Sequence, residues 1–344
     1  MSRKLIVLVV VVCTFLAFRN KGKELFTKPK NWPEPNYNFT SNPLSKAKIE
    51  LGKALFYDPL LSANNTISCA SCHSQYNAFA HADHALSHGI DDRIGTRNAP
   101  VLINLAWNKN FMWDGAIHHL DIQALAPISH KDEMSESIEN VVDKLRRSPI
   151  YPQLFKNAFP GEEISGANTL RSISSFLLTL VSNNSKYDSV MLGRTQFNTK
   201  EAKGYEVFKT HCSSCHTEPL FTNGGFENNG LPMDNELKDI GRMKITQNAK
   251  DSMLFKVPTL RNSEFSFPYM HDGRFTKLNE VINHYTGGIK PGKTLSSKLQ
   301  QPIKITSDQK VELIAFLLTL TDKRFLFDPE HSYPKKILAP NTKD

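Results

Sequence analysis

Two stretches decide the fold: Ser68-Cys69-Ala70-Ser71-Cys72-His73 and His211-Cys212-Ser213-Ser214-Cys215-His216. In each, two cysteines are separated by two residues and followed at once by histidine. C-x-x-C-H is the pattern that attaches a c-type haem. Two thiols on one turn reach the two vinyl groups of a single haem, and the next residue aims its imidazole at the iron. A thioredoxin-like dithiol has no need of the histidine. A zinc site would gather both pairs on one metal, with no reason for a histidine after each. The chain has five cysteines, and the fifth, Cys13, lies in the N-terminal segment. The motifs therefore predict two covalent haems, with His73 and His216 as proximal ligands.

Working outward, the motifs sit inside a duplication. Upstream, Gly52-Lys53-Ala54-Leu55-Phe56 matches Gly204-Tyr205-Glu206-Val207-Phe208. Downstream, Pro100-Val101-Leu102-Ile103-Asn104 matches Pro258-Thr259-Leu260-Arg261-Asn262. Fourteen residues after each proline stands Asp-Gly, at Asp114-Gly115 and Asp272-Gly273. Each half then closes on Phe-Leu-Leu-Thr-Leu, at 176–180 and 316–320. Four landmarks in one order predict two related haem domains, at 40–183 and 198–325, with a tail over 326–344.

The periodicity is helical. Leu44, Ala47, Leu51, Ala54 and Leu55 share one face after a start at Asn42-Pro43. Ile138, Val141, Val142 and Leu145 mark a second helix that stops before Pro149. The two Phe-Leu-Leu-Thr-Leu segments belong to helices of about four turns. The stretches 58–68, 74–98 and 217–257 read as loops wrapping the haems, and 183–198 as a polar linker. The expected class is mainly α, two cytochrome c-like domains with long loops.

Arg3 and Lys4 precede a charge-free run from Leu5 to Phe18. Fourteen residues suit a signal-peptide core and are short for a membrane span. No clean cleavage site follows, so 1–24 is a signal peptide or an N-terminal anchor. Either way the folded part is expected in the periplasm. The 344 residues carry a net charge of +8 with no block of five basic residues, which argues against nucleic acid as a partner. A basic face meeting an acidic redox protein fits the same charge.

The repeat serves as an internal alignment. Thirteen residues beyond each Asp-Gly aspartate stand Pro127 and Tyr285. Proline offers no ligand, whereas a tyrosine phenolate can ligate ferric iron. If both positions face the distal side, haem 1 is open and Tyr285 closes haem 2, with His284 as a rival ligand. Gln123 lies one helical turn before Pro127 and can hydrogen-bond an oxygen on the iron. Glu133, six residues after Pro127, is the candidate proton carrier for peroxide cleavage. A surface glutamate is the plain alternative. Trp113 fills the slot of His271 and is either core or an inter-haem relay. His81, His84 and His88 lie in the loop after the first motif, where one can cap the haem 1 iron.

From about residue 43 to 325 the chain resembles the bacterial di-haem cytochrome c peroxidase family. The resemblance rests on both C-x-x-C-H motifs, Arg97-Asn98-Ala99-Pro100, Met112-Trp113-Asp114-Gly115, Gln123 to Pro127, Pro127 to Met134, and Pro268-Tyr269-Met270-His271-Asp272-Gly273. It implies an enzyme, a cytochrome-c peroxidase that reduces hydrogen peroxide at the first haem. Glu133 and Gln123 would line that site and Trp113 would lie between the haems. The second haem would take electrons from a small cytochrome c or a cupredoxin. A calcium ion would sit between the domains on Asn98 and the backbone oxygens of Ser266 and Pro268. A homodimer is left open.

Three positions depart from the common pattern. Tyr285 stands where the usual peroxidase has methionine. The usual resting-state histidine of haem 1 is missing near Gly89 or Ile90, leaving His88 as the nearest candidate. Ala116 replaces the arginine that commonly follows Trp-Asp-Gly. The first two features are similar to the methylamine-utilisation di-haem branch, which oxidises residues of a partner protein. That activity, and plain electron transfer, are the alternatives to peroxide reduction.

Overall fold

The computed structural model describes residues 25–81 and 83–339, so the export segment lies outside the described residues. The elements run α1 (Lys46–Tyr57), α2 (Cys69–Cys72), α3 (Leu120–Gln123), α4 (Leu125–Ser129), α5 (Ile138–Arg147), α6 (Tyr151–Ala158), α7 (Gly166–Leu177), α8 (Lys186–Met191) and α9 (Thr199–His211). Then follow β1 (Phe226–Glu227), α10 (Met243–Thr246), β2 (Phe255–Lys256), α11 (Leu278–Asn283) and α12 (Ser307–Leu318). Long stretches between them are turns and irregular chain, and β1 pairs antiparallel with β2. Among the described residues no helix is long and apolar enough to cross a membrane.

The duplication is visible in how the helices cross. α1 packs on α7, and α9 packs on α12. A Cβ at Gly52 would fall 1.8 Å from the Ser172 carbonyl oxygen, and one at Gly204 would fall 1.8 Å from that of Glu312. Both crossings therefore bring backbones together where only glycine fits. One turn further on, Phe56 meets Phe176 at 5.3 Å, and Phe208 meets Phe316 at 5.0 Å. Asn104 and Asn262 both take left-handed backbone. Asn104 Oδ1 accepts from the Ser182 amide at 2.9 Å, and Asn262 Oδ1 accepts from the Asp322 amide at 2.7 Å. The repeated asparagine is thus tied to the end of each Phe-Leu-Leu-Thr-Leu segment.

Three details differ from the sequence reading. α1 starts after Ser45, whose Oγ accepts the Lys48 amide at 3.1 Å, and Pro43 lies ahead of it. The capping hydroxyl, not the proline ring, decides the start. α7 and α12 have 12 residues each, and the Thr-Leu ends continue past them. The 183–198 region holds α8, in which Tyr187 and Asp188 are buried. Asp188 receives Arg261 through two bonds of 2.9 and 2.7 Å.

Buried apolar residues form two clusters, one from the first half and a smaller one from the second. Phe325 and Leu326 join the first cluster, and Tyr57 donates to the His331 carbonyl at 2.7 Å. The tail therefore folds back on the N-terminal half.

Candidate functional site: two haem-attachment motifs

Each C-x-x-C-H motif follows the same local logic. A helical turn ends at the histidine, and the chain then reverses at a phenylalanine in left-handed conformation, Phe79 or Phe221. His73 Nδ1 donates to the Phe79 carbonyl at 2.7 Å. His216 Nδ1 lies 3.1 Å from the carbonyls of both Phe221 and Pro258. A carbonyl only accepts, so Nδ1 carries the proton and Nε2 keeps its lone pair. Burial pushes the His73 imidazole down to about 4 and also lowers His216. Both rings are thus held neutral, as a metal ligand must be.

The four cysteines are not in disulfides. Burial pushes the thiols of Cys69 and Cys212 up to about 12, and that of Cys72 to about 11. Thiols held this firmly protonated are poor thiolate ligands. Among the described residues no group of three or more His, Cys, Asp or Glu is placed to hold a metal. The donor set suits thioether attachment with one axial histidine per haem.

A cavity of about 280 Å³ opens beside the second motif. Cys212, Cys215, His216 and Tyr285 all line it. Ser263 Oγ, which also lines it, is a buried polar atom without a hydrogen-bond partner. An apolar cavity with cysteines and a neutral histidine on its wall and an orphaned hydroxyl fits a bound prosthetic group. Tyr285 arrives there because α11 passes into a π-helical turn, His284–Gly288. Such turns shift a side chain off the α-helical register and recur at functional sites. Its hydroxyl meets Asn229 Nδ2 at 3.4 Å, and burial raises its pKa. His284 does not line the cavity; its Nε2 bonds the Asn229 carbonyl at 3.0 Å.

Beside the first motif the relevant group is Glu133. Its charge acts on both Cys69 and Cys72, raising their thiols further, so the carboxylate lies near that attachment site. Burial raises the Glu133 carboxyl, against a lowering by His130 at 3.8 Å. Gln123 donates to Met112 Sδ at 3.7 Å. Ala124, between α3 and α4, keeps right-handed helical angles, so Gln123 and Pro127 stay on one helical path.

The loop after His73 packs against this segment. Ile90 donates to the Glu133 carbonyl at 2.8 Å, and a Cβ at Gly89 would fall 2.2 Å from the Asp132 carbonyl oxygen. Gly89 therefore has no room for any side chain. His88 stacks on His84 at 4.3 Å and its Nδ1 bonds Asp92 at 2.6 Å. His84 in turn meets His81 Nε2 at 3.0 Å. The His88 ring is engaged by His84 and Asp92, and its carbonyl meets Cys72 Sγ at 3.5 Å.

Between the halves the chain exchanges two matched bonds. The Asn98 amide donates to the His271 carbonyl, and the Lys256 amide donates to the Trp113 carbonyl, each at 2.7 Å. Trp113 Nε1 also donates to the Asn98 carbonyl at 2.8 Å. Trp113, Asn98, Ser266 and Pro268 all line the cavity of the second motif. For calcium, Asn98, Ser266 and Pro268 would offer one amide and two carbonyl oxygens, with no carboxylate. Calcium takes six to eight oxygens and draws its affinity from charged ones. The set leaves it dependent on water.

Sequence reasoning missed Arg261 and Lys256. The repeat contained the signal: they stand opposite Ile103 and Asn98, two of the positions where the halves differ in charge.

Two haem-attachment motifs on one duplicated helical scaffold define a two-haem c-type cytochrome. A family described as di-haem cytochrome c peroxidase matches residues 46–196. The methylamine utilization protein MauG of Methylorubrum extorquens is 36% identical over 310 residues, covering 87% of this chain and 84% of that protein. The cytochrome c551 peroxidase of Nitrosomonas europaea is 33% identical over 309 residues, covering 86% and 84%. A solved MauG-like protein associated with microbial copper homeostasis superposes with a TM-score of 0.83 at 32% identity, covering 89% of this chain and 98% of that one. The chain belongs to the di-haem cytochrome c peroxidase family.

Proposed function

We propose that the protein reduces hydrogen peroxide to two waters beside Cys69–His73, with electrons entering beside Cys212–His216. The observation that carries this reading is Glu133: its carbonyl holds the Ile90 amide at 2.8 Å, two residues from the His88 carbonyl that meets Cys72 Sγ at 3.5 Å, and its half-buried carboxyl is raised. When bound, the two haems supply the redox-active iron, one where peroxide is reduced and one where electrons enter. The chain's own residues do the rest. Glu133 takes a proton from one peroxide oxygen and returns it to the other, a role that needs a carboxyl poised above its ordinary range. The Gln123 amide orients the oxidant, with Pro127 leaving the space open. His73 and His216, each fixed by a carbonyl on Nδ1, present Nε2. Trp113 spans the halves as the aromatic relay. Two electrons and two protons balance each peroxide.

The donor under this reading is a small cytochrome c or a cupredoxin, and the setting is the periplasm, reached through segment 1–24. Segments 40–183 and 198–325 are the peroxidatic and electron-entry domains. One observation favours a second reading, oxidation of residues on a partner protein: Tyr285 lines the cavity of the second motif. A phenolate oxygen there stabilises oxidised iron more than a neutral thioether does. Steady-state peroxide consumption with a reduced small cytochrome separates the readings. Sustained turnover supports peroxide reduction. Reaction with peroxide that stalls without a protein co-substrate sinks it in favour of the second.

A further inference from the structure

Lys256 is out of place by the rules that govern the rest of the scaffold. It stands opposite Asn98 in the repeat and lines the cavity of the second motif. Its Nζ reaches the Asn110 carbonyl of the other half at 3.4 Å. Among the described residues no Asp or Glu forms an ion pair with it. Lys298, on the same cavity wall, shows the contrast: its Nζ pairs with Glu227 at 2.7 Å and its side chain is 38% exposed. A half-buried ammonium facing a cavity without an anion is costly to keep charged. Burial alone pushes Lys256 down to about 8. The same cavity contains the unpartnered Ser263 hydroxyl.

A c-type haem carries two propionate carboxylates, which are the anions such a site lacks. We propose that Lys256 is a positioning residue that pairs with a propionate of the haem attached at Cys212 and Cys215, on the wall shared by the two halves. This rests on the two-haem reading above. A cation beside a haem favours the reduced iron, so Lys256 holds that potential up. Its main-chain bond to Trp113 does not involve the side chain and survives substitution.

The test is a spectroelectrochemical titration of both haems in Lys256→Met, Lys256→Gln and Lys256→Arg, with haem counted by pyridine haemochrome. Met and Gln are expected to shift the second haem toward its ferric form by about tenfold, which is about 59 mV for a one-electron couple. Arg stays near wild type, and the first haem moves less. Gln, with a polar side chain of similar reach, stands in where Met disturbs folding. An unchanged second haem in both neutral variants overturns the proposal, as does a larger shift of the first haem, which would place the carboxylate there. A wild-type chain with fewer than two haems fails the underlying reading, before Lys256 is touched.

Discussion

At His73 the imidazole is held by the Phe79 carbonyl at 2.7 Å, and at His216 by the Phe221 and Pro258 carbonyls at 3.1 Å. Both loops turn at a phenylalanine with φ near 56°. On the other side the halves part. The first offers Pro127, Gln123 and a raised Glu133, whereas the second turns Tyr285 into its cavity through a π-helical turn. The difference teaches which contacts a duplication can release. Attachment demands two thiols, a neutral histidine and a tight helix crossing, and these recur residue for residue. The rest of each surrounding carries no such demand, and there one half has a raised carboxyl near its cysteines while the other has a phenol on its cavity wall.

The comparison breaks most sharply at the cysteines. Cys69→Ala with Cys72→Ala is expected to leave one haem per chain, and so is Cys212→Ala with Cys215→Ala. Intact mass and the pyridine haemochrome assay read the count. Two haems in either double variant would refute independent attachment.

The second test concerns a buried pair found in one half alone. Arg261 is fully buried against Asp188, where the first half has Ile103. Asp188→Asn leaves a buried cation half-paired and should cost about 3–5 kcal/mol in denaturant unfolding. Burial by itself would raise the Asp188 carboxyl, but Arg261 holds it below its usual range. That contribution is therefore present above the unfolded aspartate pKa and is lost as pH falls through the lower folded value. A variant as stable as wild type would show that the rings of Trp32, Tyr187 and Phe221, 4.7, 5.9 and 5.5 Å from the Arg261 guanidinium, carry the site.

Glu133→Gln sharpens the distal contrast. Peroxide turnover is expected to drop about a hundredfold with haem content unchanged. Because burial raises the Glu133 carboxyl, activity should rise with pH along a limb above the ordinary glutamate range, and that limb should vanish in the variant. Unaltered turnover would return Glu133 to the surface reading.

The smallest effect is expected at the second site. Tyr285→Met replaces an oxygen donor by a neutral thioether, so the potential of the second haem should rise in a redox titration. With His88 engaged by Asp92 and Gly89 unable to carry a side chain, the oxidised wild-type protein should react with peroxide without prior reduction. An oxidised protein that stays inert until half-reduced, with a near-infrared methionine–iron band, would make Tyr285 a packing residue.

The cysteine spacing was legible in the sequence because it answers a local demand, and the glycines of the two crossings and the asparagines were legible because the duplication repeats them. A haem needs C-x-x-C-H on one turn, and a backbone contact of 1.8 Å to a would-be Cβ needs glycine. The repeat also supplied Pro127 against Tyr285, since counting residues survives wherever loop lengths match. What it left open was orientation. Tyr285 and His284 are neighbours in sequence, and only the π-helical turn and the Asn229 carbonyl separate cavity wall from packed ring. His88 was the nearest imidazole by number, and only the fold shows its ring stacked on His84. Lys256 and Arg261 looked like two more basic residues among 42. Whether a charge is solvated, paired or left facing a cavity depends on chain that is distant in sequence. Asp188 lies 73 residues from Arg261, and Asn110 lies 146 from Lys256, so folding alone decided their surroundings.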